Sequence, residues 1–170
     1  MSKTCDNKSV GVIIKKGNSF ALIKRINYPV SYAFIAGHLD GETPENQAVQ
    51  EALEEGAIAV TELKMRLHET FKNPCKRDAG KGHEWFVFEA LKWTGELKGG
   101  SDAKIASWVS LRELRRLARR SESFLTKHSF SPIYFDLSLA TPALDTDPTW
   151  QENPGLELVW LVMLRKLDIL

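Results

Sequence analysis

The apolar positions of this chain fall into short runs divided by polar turns, with one helix-period segment in the midst of them. Residues 10–15 and 20–25 are rich in β-branched side chains and flank Lys16-Gly17-Asn18-Ser19, which predicts strand, turn, strand. Residues 33–36 form a third short run, entered through Asn27-Tyr28-Pro29 and left at Gly37. Thr43-Pro44 then opens a helix, with threonine as N-cap and proline at the first helical position, where its missing N–H costs nothing. The helix is predicted to reach Glu55, and Gly56 suits its C-terminal exit. Residues 57–68 and 85–93 read as strands on either side of a polar loop, 71–82. A short strand at 105–109 leads to Ser110, the cap of a helix through about Arg120. Residues 121–150 carry no clear period, and 156–167 predict a last helix behind Pro154-Gly155. Strands before, beside and after one central helix place the chain in the α/β (α+β) class.

With 170 residues, 43% of them hydrophobic and 26% charged, the chain is expected to be one globular domain spanning 1–170. Its core is expected at about 9–120, with 121–170 a helical extension packed on that core or on a second subunit of a homodimer. No apolar run reaches the roughly 18 residues that cross a bilayer. The start, Met-Ser-Lys-Thr-Cys-Asp-Asn-Lys, lacks the apolar stretch of a secretion signal, so a cytoplasmic protein with no membrane partner is expected. Cys5 and Cys75 show no Cys-x-x-Cys spacing and no neighbouring Cys or His, so no zinc site is expected from them. The net charge of +1 argues against a nucleic-acid partner.

That average conceals a segregation. Residues 26–63 contain seven acidic side chains and no Lys or Arg, which leaves the remainder of the chain at +8. On a wheel at about 100° per residue, Ala48, Val49, Ala52 and Leu53 share an arc of about 140°, the expected core face. Glu51, Glu54 and Glu55 share a second arc about 100° wide. Like charges at these spacings destabilise a helix by about 0.2–0.5 kcal/mol per pair. They also lie at the C-terminal end, where the macrodipole disfavours them. A hard divalent cation would resolve the conflict, because Mg²⁺ takes oxygen ligands and leaves positions open for phosphate and water.

The segment Gly37-His38-Leu39-Asp40-Gly41-Glu42, with Gln50-Glu51, Glu54-Glu55 and Gly56-Ala57-Ile58 behind it, resembles the Nudix box, G-x5-E-x7-R-E-U-x-E-E-x-G-U. Ser107-Trp108-Val109-Ser110-Leu111-Arg112-Glu113-Leu114 resembles the W-V-x-L-x-E-L segment near the end of such domains. The resemblance implies an α/β/α sandwich with a mixed sheet and additional C-terminal helices. It also implies Mg²⁺- or Mn²⁺-dependent cleavage of the diphosphate bond in a nucleoside diphosphate linked to another moiety. By position, Glu51, Glu54 and Glu55 would be the catalytic metal ligands, joined by the Gly37 carbonyl, with Asp102 a further candidate ligand or base. Glu42 and Gln50 would support them. Arg25, Tyr28, Tyr32 and His38 are candidates for substrate contact.

The match has departures. Gly37 stands one residue too close to Glu42, so Ala36 competes for the glycine position. Gln50 replaces the motif arginine and can make only a singly charged hydrogen bond with Glu42. Ala57 replaces the final glycine, with Gly56 beside it to serve the turn. A nucleotide-binding protein of weak or no activity and a diphosphate isomerase on the same fold therefore stand as alternatives to hydrolysis.

Overall fold

Two four-stranded sheets divide the apolar runs between them in the computed structural model, which describes residues 4–100 and 105–170. The strands are β1 (Lys8–Ile13), β2 (Lys15–Lys16), β3 (Ser19–Arg25), β4 (Ser31–Ala33), β5 (Ile35–His38), β6 (Ile58–Phe71), β7 (His83–Gly95) and β8 (Ile105–Ser110). The first sheet has the order β5-β1-β7-β6, antiparallel at β1–β5 and β6–β7 but parallel at β1–β7. In the second, β3 pairs antiparallel with β2, β4 and β8. The first sheet is therefore mixed, as the family resemblance implied, and the second is antiparallel throughout. The strand, turn, strand reading of 10–25 holds locally, but β1 and β3 belong to different sheets and only the residues at the turn pair with each other.

The run read as one strand at 33–36 is a crossing from one sheet to the other. Phe34 sits between β4 and β5, fully buried, with its ring 5.9 Å from that of Phe20 and 4.8 Å from that of Trp160. This crossing delivers β5 to the edge of the first sheet, where α1 (Pro44–Gly56) follows it. Thr43 caps α1 by accepting the Asn46 N–H at 3.3 Å, and Pro44 takes the first turn as expected.

The C-terminal third is more helical than its sequence pattern discloses. α2 (Leu111–Lys127) continues past Arg120, burying Leu114, Leu117, Ala118, Ser121, Phe124 and Leu125 on one face. Ser121 does not end the helix, because its hydroxyl donates to the Leu156 carbonyl at 2.6 Å and so finds a partner inside the core. α3 (Leu137–Ala143) and α4 (Pro148–Glu152) are short and begin at Asp136 and Asp147, which accept the N–H groups of Ser138 and Trp150. The last helix, α5 (Leu158–Lys166), starts two residues later than predicted and is buried nearly all round. Its Trp160 packs against Trp85 as well as Phe34, which sets the helix against the body of the chain. No helix among the described residues is long and apolar enough to cross a membrane.

Candidate active site

The helix that carries the acidic face is turned differently from the sequence expectation. Ala48 and Ala52 are buried as predicted, but Val49 and Leu53 are 37% and 56% exposed, and Gln47, Glu55 and Gly56 are buried in their place. Small side chains explain the rotation. Ala48, Ala52 and Gly56 follow one another at four-residue intervals and let α1 approach β5 closely. A Cβ added to Gly56 would stand 2.8 Å from Ile35 Cδ1. The carboxylates beside this small-residue stripe are thereby brought onto β5 itself.

Two of the three carboxylates, Glu55 and Glu51, reach it. Glu55 is buried and accepts the Ala36 N–H through Oε2 at 3.2 Å. Glu51, half-buried, accepts the side-chain amide of Gln47 at 2.7 Å and lies directly against Gly37. A Cβ on Gly37 would stand 2.8 Å from Glu51 Oε2 and would overlap Oε1 and Cδ, so only glycine leaves room for the carboxylate. Gly37 thus occupies the close-approach position despite the shortened spacing, and Ala36 instead supplies a backbone donor. Glu54 is exposed and accepts the side-chain amide of Gln50 at 2.7 Å.

That last bond corrects one expectation. Gln50 joins Glu54 four residues on, the natural helical neighbour, and leaves the exposed Glu42 at the end of the loop. The helix exit is a second correction. Gly56 remains helical, and Ala57 takes the left-handed conformation (φ 55°), donating its N–H to the carbonyls of Ala52 and Leu53. Asp102 lies outside the described residues.

Across β5 from α1 is a cleft of about 80 Å³ bordered by Arg25, Tyr28, Gly37, His38, Asn73 and Glu157. Arg25, Tyr28 and His38 are therefore gathered beside Gly37. Arg25 is held by Glu157 at 3.1 and 3.2 Å and donates to the Tyr28 carbonyl at 2.9 Å. Burial, reinforced by Asp145 and Cys75, pushes the Tyr28 hydroxyl up to about 12, so it remains a donor at neutral pH. Tyr32 is not brought here. It borders a separate hollow with Trp108 and Arg116, and Lys24 lies over its ring, because β4 points it away from β5.

His38 turns into a group the sequence spacing did not disclose. Cys5, His38, Cys75 and His83 bring one ligand atom each to within 4.8 Å of one another, which overturns the expectation that the two cysteines lack partners. The four residues come from the N-terminal segment, β5, the 72–82 loop and β7, so no local motif joins them. Burial, with Arg77 and His83 nearby, pushes the His38 imidazole down to about 4, and burial also lowers His83.

A mixed-sheet fold with a glutamate-rich helix docked on a glycine of the preceding strand defines a recognised class of protein. A family model for the NUDIX domain matches residues 6–148, and the chain belongs to that family. An ADP-ribose pyrophosphatase of Methanocaldococcus jannaschii is 35% identical over 123 residues, which are 69% of each chain. Among solved structures, a NUDIX hydrolase from Nitrosomonas europaea aligns over 93% of this chain and 95% of its own, with a TM-score of 0.53 and 18% identity. A MutT NUDIX hydrolase from Burkholderia pseudomallei aligns over 63% of this chain and 84% of its own, with a TM-score of 0.51 and 23% identity. At these identities the structural likeness establishes the fold.

Proposed function

We propose that the chain hydrolyses the diphosphate bond of a nucleoside diphosphate derivative of the ADP-ribose kind, using Mg²⁺ or Mn²⁺. The observation that carries this reading is the seating of Glu51 against Gly37, which sets carboxylate oxygens beside the backbone of β5. The donors offered there are all oxygens: Glu51, Glu54, Glu55 and the Gly37 carbonyl. Such a set fits a hard divalent cation, and no basic side chain occupies the last turn of α1 to neutralise it instead. When bound, the ion supplies charge neutralisation for the diphosphate and acidifies water near it.

The protein's own groups supply placement. Glu55, fixed on the Ala36 N–H, ties the end of α1 to β5. Glu54 is the carboxylate in contact with solvent, so a proton taken from the attacking water has a route out. Arg25, oriented by Glu157, stands in the wall of the cleft across β5 from these carboxylates, where its guanidinium is a candidate contact for the part of the substrate that reaches past the strand. Tyr28 offers a ring face and a hydroxyl donor to the remainder of the substrate. The ADP-ribose preference rests on the Methanocaldococcus relative alone.

The test is hydrolysis of ADP-ribose and a panel of other nucleoside diphosphate derivatives, with Mg²⁺ or Mn²⁺ varied. Glu54→Gln and Glu55→Gln should each lower kcat at least tenfold, which corresponds to about 1.4 kcal/mol or more. Tight nucleotide binding without turnover by the unmodified protein would establish the binding-protein alternative. Full activity in both variants would show that other acids do the work.

A further inference from the structure

We infer that Cys5, His38, Cys75 and His83 form a closed structural zinc site that braces the 72–82 loop and the N-terminal segment against β5. A tetrahedral Zn²⁺ has bonds of about 2.3 Å to sulfur and about 2.0–2.1 Å to nitrogen. The edges of that tetrahedron are about 3.8 Å between sulfurs, about 3.5 Å between sulfur and nitrogen, and about 3.3 Å between nitrogens. The observed separations are 3.6 Å for Cys5 Sγ to Cys75 Sγ, 3.2 Å for Cys5 Sγ to His83 Nε2, and 3.3 Å for His83 Nε2 to His38 Nε2. Three of the six edges thus already stand at coordination spacing, and all four ligand atoms, from four different stretches of chain, lie within 4.8 Å of one another.

The surroundings are built for the same purpose. His83 Nδ1 donates to the Asn73 carbonyl at 2.9 Å, which fixes the tautomer and leaves the Nε2 lone pair facing the cluster. Asn73 is held in turn, since its Oδ1 accepts the buried Trp85 indole N–H at 2.9 Å. The Asn7 N–H points at Cys5 Sγ from 3.3 Å, the backbone donor that a metal-bound thiolate commonly receives. Gly80 is required at its position because an added Cβ would overlap Cys75 Sγ. The loop closes on itself through Cys75 N–H to Gly80 O at 3.2 Å, and on the N-terminal segment through Cys5 N–H to Asp78 O at 2.8 Å. Arg77 pairs with Asp40, two residues beyond the end of β5.

Two thiolates and two imidazoles in this arrangement select Zn²⁺ over Mg²⁺, Mn²⁺ or Ca²⁺. With four protein ligands no coordination position is left for substrate or water, so the role is structural. His38 follows Gly37 directly, and the ion would therefore hold the strand segment against which Glu51 rests.

The experiment needs no activity. Protein purified with a phosphine reductant and zinc, then freed of loose metal by gel filtration, should carry one zinc per chain by mass spectrometry. Cys75→Ser should reduce that content to background. Replacing zinc with Co²⁺ should give intense visible bands of tetrahedral cobalt together with a thiolate-to-cobalt charge-transfer band. That last band distinguishes the cluster from Glu51, Glu54 and Glu55, which offer only oxygen. Should Cys75→Ser fail to fold, the unmodified protein still decides the matter: both thiols should react slowly with a disulfide reagent when zinc is bound and quickly after chelation, and added zinc should restore protection. Absence of retained zinc and of the charge-transfer band would overturn the inference. Equal thiol reactivity with and without zinc would overturn it as well.

Discussion

Gly37→Ala adds one methyl group at the contact on which the proposed site depends. Its Cβ would stand 2.8 Å from Glu51 Oε2 and closer to Oε1 and Cδ, where ordinary contact begins at 3.4 Å. Gly37 is not among the residues of positive φ, so the backbone accepts alanine and the register with Val10 can persist. The side chain of Glu51 must give way, by at least about 0.6 Å at Oε2 and further at Oε1. That movement breaks the bond from Gln47, a loss of about 0.5–1.5 kcal/mol, or roughly 1–6 °C in Tm for a chain of this size. Misplacement of a catalytic group by about 1 Å costs on the order of 100-fold in rate, equivalent to about 2.7 kcal/mol. The effect on turnover should therefore exceed the effect on stability. A melt and a Mg²⁺ titration of steady-state hydrolysis measure the two separately. We expect kcat to fall about 100-fold with a higher Mg²⁺ requirement, in a variant that melts within a few degrees of the parent. A folded variant with undiminished kcat and the same Mg²⁺ dependence would refute the assignment of Glu51 to the site.

Two further changes probe stability. Ala57→Gly should raise stability by about 0.5–1 kcal/mol: the left-handed conformation costs alanine about 1–2 kcal/mol, and glycine's greater freedom when unfolded takes back about 0.4–1 kcal/mol. A lower Tm would mean that the Ala57 methyl group makes a contact worth more than this strain. Asp147, buried beneath Lys127 and His128 and capping α4, is held well below the usual carboxylate range by those two partners. A depressed carboxyl pKa contributes stability above its unfolded value of about 3.9 and loses it as pH falls further. The urea midpoint of the parent should exceed that of Asp147→Asn at neutral pH, and the gap should narrow below about pH 4. A gap independent of pH would show that the ion pairs contribute nothing.

Local signals carried much of the architecture. Proline and threonine mark the start of α1, short β-branched-rich runs mark β1 and β3, an apolar and aromatic run marks β7, and a serine cap marks α2. What the sequence pattern concealed has physical causes. Wheel arithmetic assigned Val49 and Leu53 to the core because they are apolar, but closeness to the sheet is decided by the small side chains of Ala48, Ala52 and Gly56. The pattern predicts α2 only as far as about Arg120, whereas the helix runs on through Ser121, whose hydroxyl finds a buried acceptor in the Leu156 carbonyl just before α5. The three acidic residues were conspicuous from charge alone. Which atoms they touch depends on β5, a strand whose place at the sheet edge no local rule specifies.

Residues 36–38 join the two groups of polar side chains, and strand alternation explains how three consecutive residues can serve both. Successive side-chain positions point to opposite faces of a strand. The Gly37 position faces α1, where an absent side chain admits the Glu51 carboxylate. The next position faces the other way, and His38 meets Cys5 and His83 there. One face therefore offers oxygen alone and the other offers sulfur and imidazole nitrogen. Hard and borderline-soft cations sort themselves between such donor sets. The proposed zinc site can thus stiffen the strand without competing for the ion that the acidic face would hold. A cysteine pair 70 residues apart discloses none of this in sequence, because the tie between the two ligands is the parallel pairing of β1 with β7, continued by the Cys5 N–H bond to Asp78 O.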